Sequence, residues 1–366
     1  MTALAAVPML LLAAGAGSAS AQPGSGTPPP PPGFEAQSAS FISAQTGFVL
    51  GARHCSILPC KALLDETING GKTWKAVPAP AVQLEPHFTG SPASAVSSVR
   101  FANAKDGWLF GPGLWSTTDG GKHWQRVKLS GAVYMMTASG GEAYAAAEPV
   151  NAGPYQAHLY KSAVGSGKWS AIPKVAPVLS LTSFGHSAWT GVAPDLWTTT
   201  NDGKTWAKLS FKCPTGYPSS SEVAASSVKD VAIACSNQGK PQPGESYKEV
   251  LVSANGGRTF HAVPAFPPIA GQIYGLAMAA GNPKVITINS ASGASYLYET
   301  LNGGKTWTNA VPKQGVDGGL GFADLAYVSA TTGYVIHFMG TPYLAYGHGL
   351  MKTTNAGKTW TKVSIP

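Results

Sequence analysis

One short motif recurs seven times along the chain and restricts the fold more than any other feature. It reads TINGGKTW at 67–74, TTDGGKHW at 117–124, SAVGSGKW at 162–169, TTNDGKTW at 199–206, SANGGRTF at 253–260, TLNGGKTW at 300–307 and TTNAGKTW at 353–360. The closing aromatics are Trp74, Trp124, Trp169, Trp206, Phe260, Trp307 and Trp360, spaced by 37 to 54 residues. A period of about 48 residues is one supersecondary unit, long enough for a four-stranded antiparallel blade.

The half-unit before each motif repeats as well. In the second unit Val99 and Phe101 alternate as a short strand, and Lys105-Asp106-Gly107 makes a turn. Trp108 to Phe110, Leu114 to Thr117 and Trp124 to Leu129 read as three further strands. Similar stretches are SFISAQTGFVLG, TSFGHSAWTGVA and LAYVSATTGYVIH. No stretch has the periodicity of an amphipathic helix. The pattern predicts an all-β fold, a seven-bladed β-propeller of four-stranded antiparallel blades. The chain would enter at the innermost strand of blade 1 and leave at the outermost strand of blade 7. Face-to-face packing of blades 1 and 7 would close the ring, unless GFEAQ (33–37) adds a strand to the last blade.

The motif lies between the third and fourth strands, so it is a hairpin turn. Asn69, Asp119, Asn201, Asn255, Asn302 and Asn355 can accept backbone N–H groups, as Asx-turns do. The following glycines permit positive φ. Trp74, Trp124, Trp206, Trp307 and Trp360 start the last strand and bury a ring against the blade. The third copy carries Val164 and Ser166 in place of the amide and the glycine, which predicts a looser hairpin.

The pattern Ser/Thr-x-Asp/Asn-x-Gly-x-Thr-Trp resembles the Asp-box, or BNR, repeat. The single-domain layout with a GW or GF step before each box looks most like the propellers of the photosystem II assembly-factor type. That resemblance implies an exported or lumenal assembly chaperone. The box itself recurs in sialidases, other glycosidases, sorting receptors and non-enzymatic propellers, so it argues for fold more than for function.

Residues 1–21 read as a signal peptide, with Ala19-Ser20-Ala21 fitting a small-x-small cleavage site. Residues 22–38 read as a Pro/Gly-rich linker and 39–366 as the propeller. The expected location is secreted or extracytoplasmic. Cys55, Cys60, Cys213 and Cys235 form an even set in an exported chain, which suggests disulfides.

Candidate chemistry is sparse. No cofactor, no metal and no catalytic residue is expected. Five of the six clear boxes carry Asn, and every box carries a cation, which is poor company for Ca²⁺. The four arginines, Arg53, Arg100, Arg126 and Arg258, do not spread around the ring as a sialidase triad would. A glycosidase needs two facing carboxylates. Glu85, Glu148, Asp195, Glu222, Asp317 and Asp324 are candidates by position, but no motif marks them.

The net charge is +8, and the boxes alone supply Lys72, Lys122, Lys168, Lys204, Arg258, Lys305 and Lys358. These form a ring on one face, suited to weak contact with an anionic surface and not to a nucleic-acid groove. The opposite face carries the long loops Ala52–Leu63, Pro78–Ser98, Cys213–Ser226, Ser236–Lys248, Phe266–Gln272 and Gly340–Gly349. His54, Tyr155, Tyr217, Tyr247, Tyr343 and Tyr346 are the binding candidates there, for an extracytoplasmic protein or peptide. The expectation is a monomeric, non-catalytic binding or assembly module at the cell envelope. An Asp-box glycosidase, sialidase-like enzyme or lectin is the alternative.

Overall fold

Seven sheets of four strands each follow one another along the chain, and every neighbouring pair within them is antiparallel. The computed structural model describes residues 33–53, 59–85, 93–149, 156–192, 194–213, 220–238, 240–311, 321–338 and 349–366. The first strands of the blades are Phe34–Phe41, Ser98–Phe101, Ala132–Ser139, Leu181–Phe184, Ser220–Ala225, Gln272–Ala279 and Phe322–Tyr327. Each neighbours the next around a closed ring. A separate two-stranded ribbon, Cys60–Lys61 with Gln83–Leu84, lies outside the blades. The seven-bladed, all-β expectation holds. Residues 1–21, read as a signal peptide, lie outside the described residues.

Phe34–Phe41 pairs with Gly47–Arg53 as the innermost strand of blade 1. GFEAQ therefore does not extend blade 7, whose four strands are its own. Among the described residues the first strand begins at Phe34, inside the stretch read as linker. The first residues of a strand pair where the rest of it pairs, and Phe34–Phe41 is one strand laid along Gly47–Arg53.

Ring closure is consequently a matter of side chains. Phe34, Ala36, Ala39 and Val49 of blade 1 share a core with Tyr334, Ile336, Leu350 and Ile365. The Phe41 and Tyr334 rings stack with centroids 3.4 Å apart. Burying such rings stabilises by roughly 1.5–3 kcal/mol each. Polar contacts add direction. Asp324 accepts from Ser38 Oγ and from the Ala39 amide, and Tyr334 Oη donates to the Ala44 carbonyl at 3.0 Å.

The same scheme repeats between other blades. Phe48 of blade 1 stacks on Phe101 of blade 2 at 3.5 Å, and Trp124 meets Phe101 edge-on. In blades 1, 2 and 7 a glycine opens the second strand, Gly47, Gly107 and Gly333, and makes room for the first-strand aromatic: a Cβ on Gly107 would stand 2.5 Å from the Phe101 ring. A disulfide joins Cys213, just past the last strand of blade 4, to Cys235 in the second strand of blade 5. Cys60 is also disulfide-bonded. Cys55 lies outside the described residues.

Candidate functional site

The six well-formed boxes share one hydrogen-bond network, and its hub is the opening Ser or Thr. In box 1, Thr67 Oγ1 donates to Asn69 Oδ1 at 3.0 Å and accepts the Gly71 amide at 2.9 Å. Asn69 Oδ1 also accepts the Thr73 amide at 2.9 Å, and Asn69 Nδ2 donates to Thr73 Oγ1 at 2.7 Å. Boxes 4 to 7 repeat these bonds through Asn201, Asn255, Asn302 and Asn355. Box 2 keeps the scheme with different chemistry. Asp119 takes the His123 amide at 3.0 Å and faces His123 Nδ1 at 2.6 Å. The His123 amide, then its ring, holds the Asp119 carboxyl below the usual carboxylate range. Every member is engaged by another member of its own turn, so the boxes are structural.

The boxes also reach back to the preceding blade. Gly71 has φ +89, and a Cβ there would stand 2.6 Å from Val363 of blade 7. Gly357, at φ +90, lies directly against Glu299 of blade 6. The Trp124 indole donates to the Pro78 carbonyl at 2.8 Å, and that of Trp307 to the Ala265 carbonyl at 3.0 Å. Trp206 meets Tyr144 of blade 3 edge-on at 5.8 Å. The closing ring thus wedges between blades as well as against its own. Box 3 is built differently. Ser162 and Ser166 hydroxyls pair at 3.1 Å, and positive φ falls at Gly165 and Gly167. The network bonds through an Asx residue are lost there, because Val164 offers no oxygen.

All seven box cations are exposed. The box tips bond to the loops between the first and second strands, for example Gly120 to the Lys105 carbonyl and Gly256 to the Lys229 carbonyl. Lys105 and Lys229 therefore join the same face.

On the opposite face, His54, Tyr155, Tyr217, Tyr343 and Tyr346 lie outside the described residues. Tyr247 is 42% exposed at the start of the third strand of blade 5. The more prominent feature is the segment AFPPIAGQIY, 265–274, which runs from Ala265, bonded to box 6, to the first strand of blade 6. Phe266 is 67% exposed, Ile269 38% and Tyr274 63%. Tyr274 sits at a bulge between Ile273 and Gly275, which turns it out of the alternating pattern. Sequence reasoning marked this loop but chose tyrosines elsewhere; the Phe-Pro-Pro step in a charge-free stretch was the signal.

Lys248 anchors that loop from below. Its side chain is buried, and its ammonium donates to the carbonyls of Pro268, Ile269, Ala270 and Gly271 at 2.9–3.1 Å and of Ser246 at 3.2 Å. The Tyr298 ring lies 5.6 Å away, and Tyr298 Oη donates to the Ala270 carbonyl. Burial lowers the Lys248 pKa to about 7, and the Glu245 charge pushes it back up.

The arginines and acids weighed for catalysis are each engaged separately. Arg53 pairs with Asp65, Arg100 with Asp324 at 3.4 Å, Arg126 with the Ala93 carbonyl and Arg258 with the Asn255 carbonyl. Asp195 pairs with Lys208 at 2.8 Å. Glu222 accepts from Ser180 at 3.3 Å, and burial raises its pKa to about 7. Glu85 is buried, and Glu148 acts on Tyr134 by its charge. Asp317 lies outside the described residues. Among the described residues no three His, Cys, Asp or Glu side chains converge as a metal site would require.

Residues 36–178 match the model of the family described as Photosynthesis system II assembly factor YCF48. A structure of YCF48 bound to D1 peptide superposes with a TM-score of 0.53 at 16% identity, covering 89% of this chain and 94% of that one. YCF48 from Cyanidioschyzon merolae gives 0.54 at 17% identity, covering 89% and 97%. An ancestral GH74 enzyme gives 0.55 at 14% identity, covering 91% of this chain but 46% of that one. No curated protein matches the chain. At these identities the structural likenesses speak for the fold alone. With the box network and the seven-blade ring, the match over residues 36–178 makes this chain an Asp-box β-propeller that resembles the Photosynthesis system II assembly factor YCF48 family.

Proposed function

We propose that this chain is an exported, non-catalytic propeller that binds a protein or peptide segment on its loop face, as an assembly module of the cell envelope. The observation that carries this reading is the pinned loop 265–274, which holds Phe266, Ile269 and Tyr274 exposed on a rigid base. Rigid aromatic and aliphatic anchors bind protein surfaces at low entropic cost. That one propeller of the same fold has been seen with a bound peptide supports the same use here. The Cys213–Cys235 disulfide suits an oxidising compartment.

A photo-crosslinker at position 266, activated in the source organism's envelope, tests the proposal. It predicts a crosslinked polypeptide that is lost when Tyr274→Ala is combined with Ile269→Ala. A defined hit on a glycan array, with no polypeptide captured, would favour the carbohydrate-active reading instead.

The box face supports a second, weaker contact. The seven exposed box cations, with Lys105 and Lys229, suit an anionic surface of lipid headgroups. Docking there would leave the loop face free for its partner.

A further inference from the structure

Four consecutive carbonyl oxygens, from Pro268 to Gly271, converge with that of Ser246 on the Lys248 ammonium at 2.9–3.2 Å. An ammonium has three N–H bonds, fewer than the five oxygens around it. The arrangement is therefore coordination of a cation rather than one-to-one pairing of donors with acceptors. Carbonyl dipoles aimed at one point repel one another unless positive charge sits among them. Backbone carbonyls in such a cluster replace the hydration shell of a monovalent cation.

We propose that residues 268–271 and Ser246 form a monovalent-cation site built of backbone carbonyls, filled by the chain's own Lys248, and that this tethered cation shapes the loop displaying Phe266 and Ile269. Its ligand class is a primary alkylammonium or a bare cation of similar size. The link to binding rests on the function proposed above; the site itself does not.

Two geometric facts support a dedicated site. The Lys248 side chain is 1% exposed, so the charge is committed to this place and not shared with solvent. The carbonyls are held in convergence by other donors as well: the Ser246 amide bonds the Ile269 oxygen at 2.8 Å, Tyr298 Oη the Ala270 oxygen at 3.1 Å and Ser246 Oγ the Gly271 oxygen at 2.8 Å, while the Ala265 and Gly271 amides tie the loop's ends to the Gly304 and Gly244 carbonyls.

The experiment reads hydrogen exchange at the Phe266, Ile269, Ala270 and Gly271 amides, with no partner present. Lys248→Ala is expected to speed exchange there by about tenfold or more while blade-core amides keep their rates. Added n-propylammonium should restore the protection, and tetramethylammonium at equal ionic strength should not. Unchanged loop exchange in the variant overturns the proposal, as does equal rescue by both salts or rescue by neither. Should Lys248→Ala not fold, the intact chain decides. At a pH of about 6, the Lys248 Nζ protons should exchange far more slowly than those of exposed Lys305. Equal rates would overturn the site. Because loop exchange is read without a partner, a failed crosslinking experiment leaves this result standing, and the reverse also holds.

Discussion

Lys352, in the third strand of blade 7, donates its ammonium proton to the Gly70 carbonyl of the first box at 2.9 Å. The last blade thus holds the turn of the first. Lys352→Met should lower stability by about 1–2 kcal/mol, since it removes a charge-assisted bond and leaves the carbonyl unpaired. Urea unfolding checks this, with Lys362→Met on the exposed outer strand as a control that changes little. Equal effects of the two would show that closure does not use this bond.

Thr300 is the buried hub of box 6, accepting the Gly304 amide at 2.8 Å and donating to Asn302 Oδ1 at 3.0 Å. Thr300→Val keeps the shape and orphans that amide, at a cost of about 1–3 kcal/mol. Asn302→Asp should cost under about 0.5 kcal/mol, because the Thr306 hydroxyl can turn to donate to a carboxylate. Box 2, with Asp119, already uses an acid at that position. Thermal unfolding of both variants ranks the hub against the amide.

Glu299 is buried against Gly357 and Tyr327, and burial raises its pKa to about 8. A carboxyl whose folded pKa exceeds its unfolded value takes up a proton on folding. Its stability contribution is complete below the unfolded value of 4.5 and is lost as pH rises through about 8. Glu299→Gln has no such titration. The variant should gain on the wild type as pH rises from 5 to 8, by roughly 1–3 kcal/mol at the upper end. Denaturant melts across that window test it; a constant difference would mean that Glu299 does not titrate there.

Contact of the box face with anionic lipid should be strongly salt-dependent. Vesicles containing phosphatidylglycerol should retain the protein at about 20 mM salt and release it at about 200 mM. Lys204→Glu with Arg258→Glu should weaken retention at low salt, whereas Lys240→Glu, on the opposite face, should not. Retention that survives high salt, or none at low salt, would count against this surface.

Export predicts a mature chain that starts at Gln22, readable by intact mass. Cys213→Ser with Cys235→Ser should cost about 2–4 kcal/mol, the range expected when a bridge of 22-residue separation is removed. A mature chain that retains residues 1–21 would argue against cleavage there.

Blade number, strand count and the place of every box hairpin were legible because they recur. A turn that needs an Asx oxygen, a left-handed glycine and an anchoring ring writes these residues at fixed offsets, and Asn69, Gly71 and Trp74 are local requirements. The opening Thr67 recurs at the same offset, but its hub role emerges only from the bonds its hydroxyl makes in the folded turn. The failure of Val164 to support the network was legible for the same local reason; the substitute turn through Gly165 and Gly167 was not.

The binding face was legible as loops but not as residues. Exposure of Phe266 and Tyr274 depends on what packs beneath them, and a one-dimensional pattern does not contain that. Nothing in the sequence around Lys248 announces that its ammonium meets carbonyls twenty residues downstream.

The sequence by itself determined the repeat, the strand order and the box turns, because these arise from interactions between residues a few positions apart. The tertiary structure decided how the ring closes, which boxes grip which blades, and that Lys248 supports a displayed apolar loop. Those outcomes join residues hundreds of positions apart, such as Ser38 and Asp324, separated by 286, whose meeting exists only once seven blades have curved into a circle.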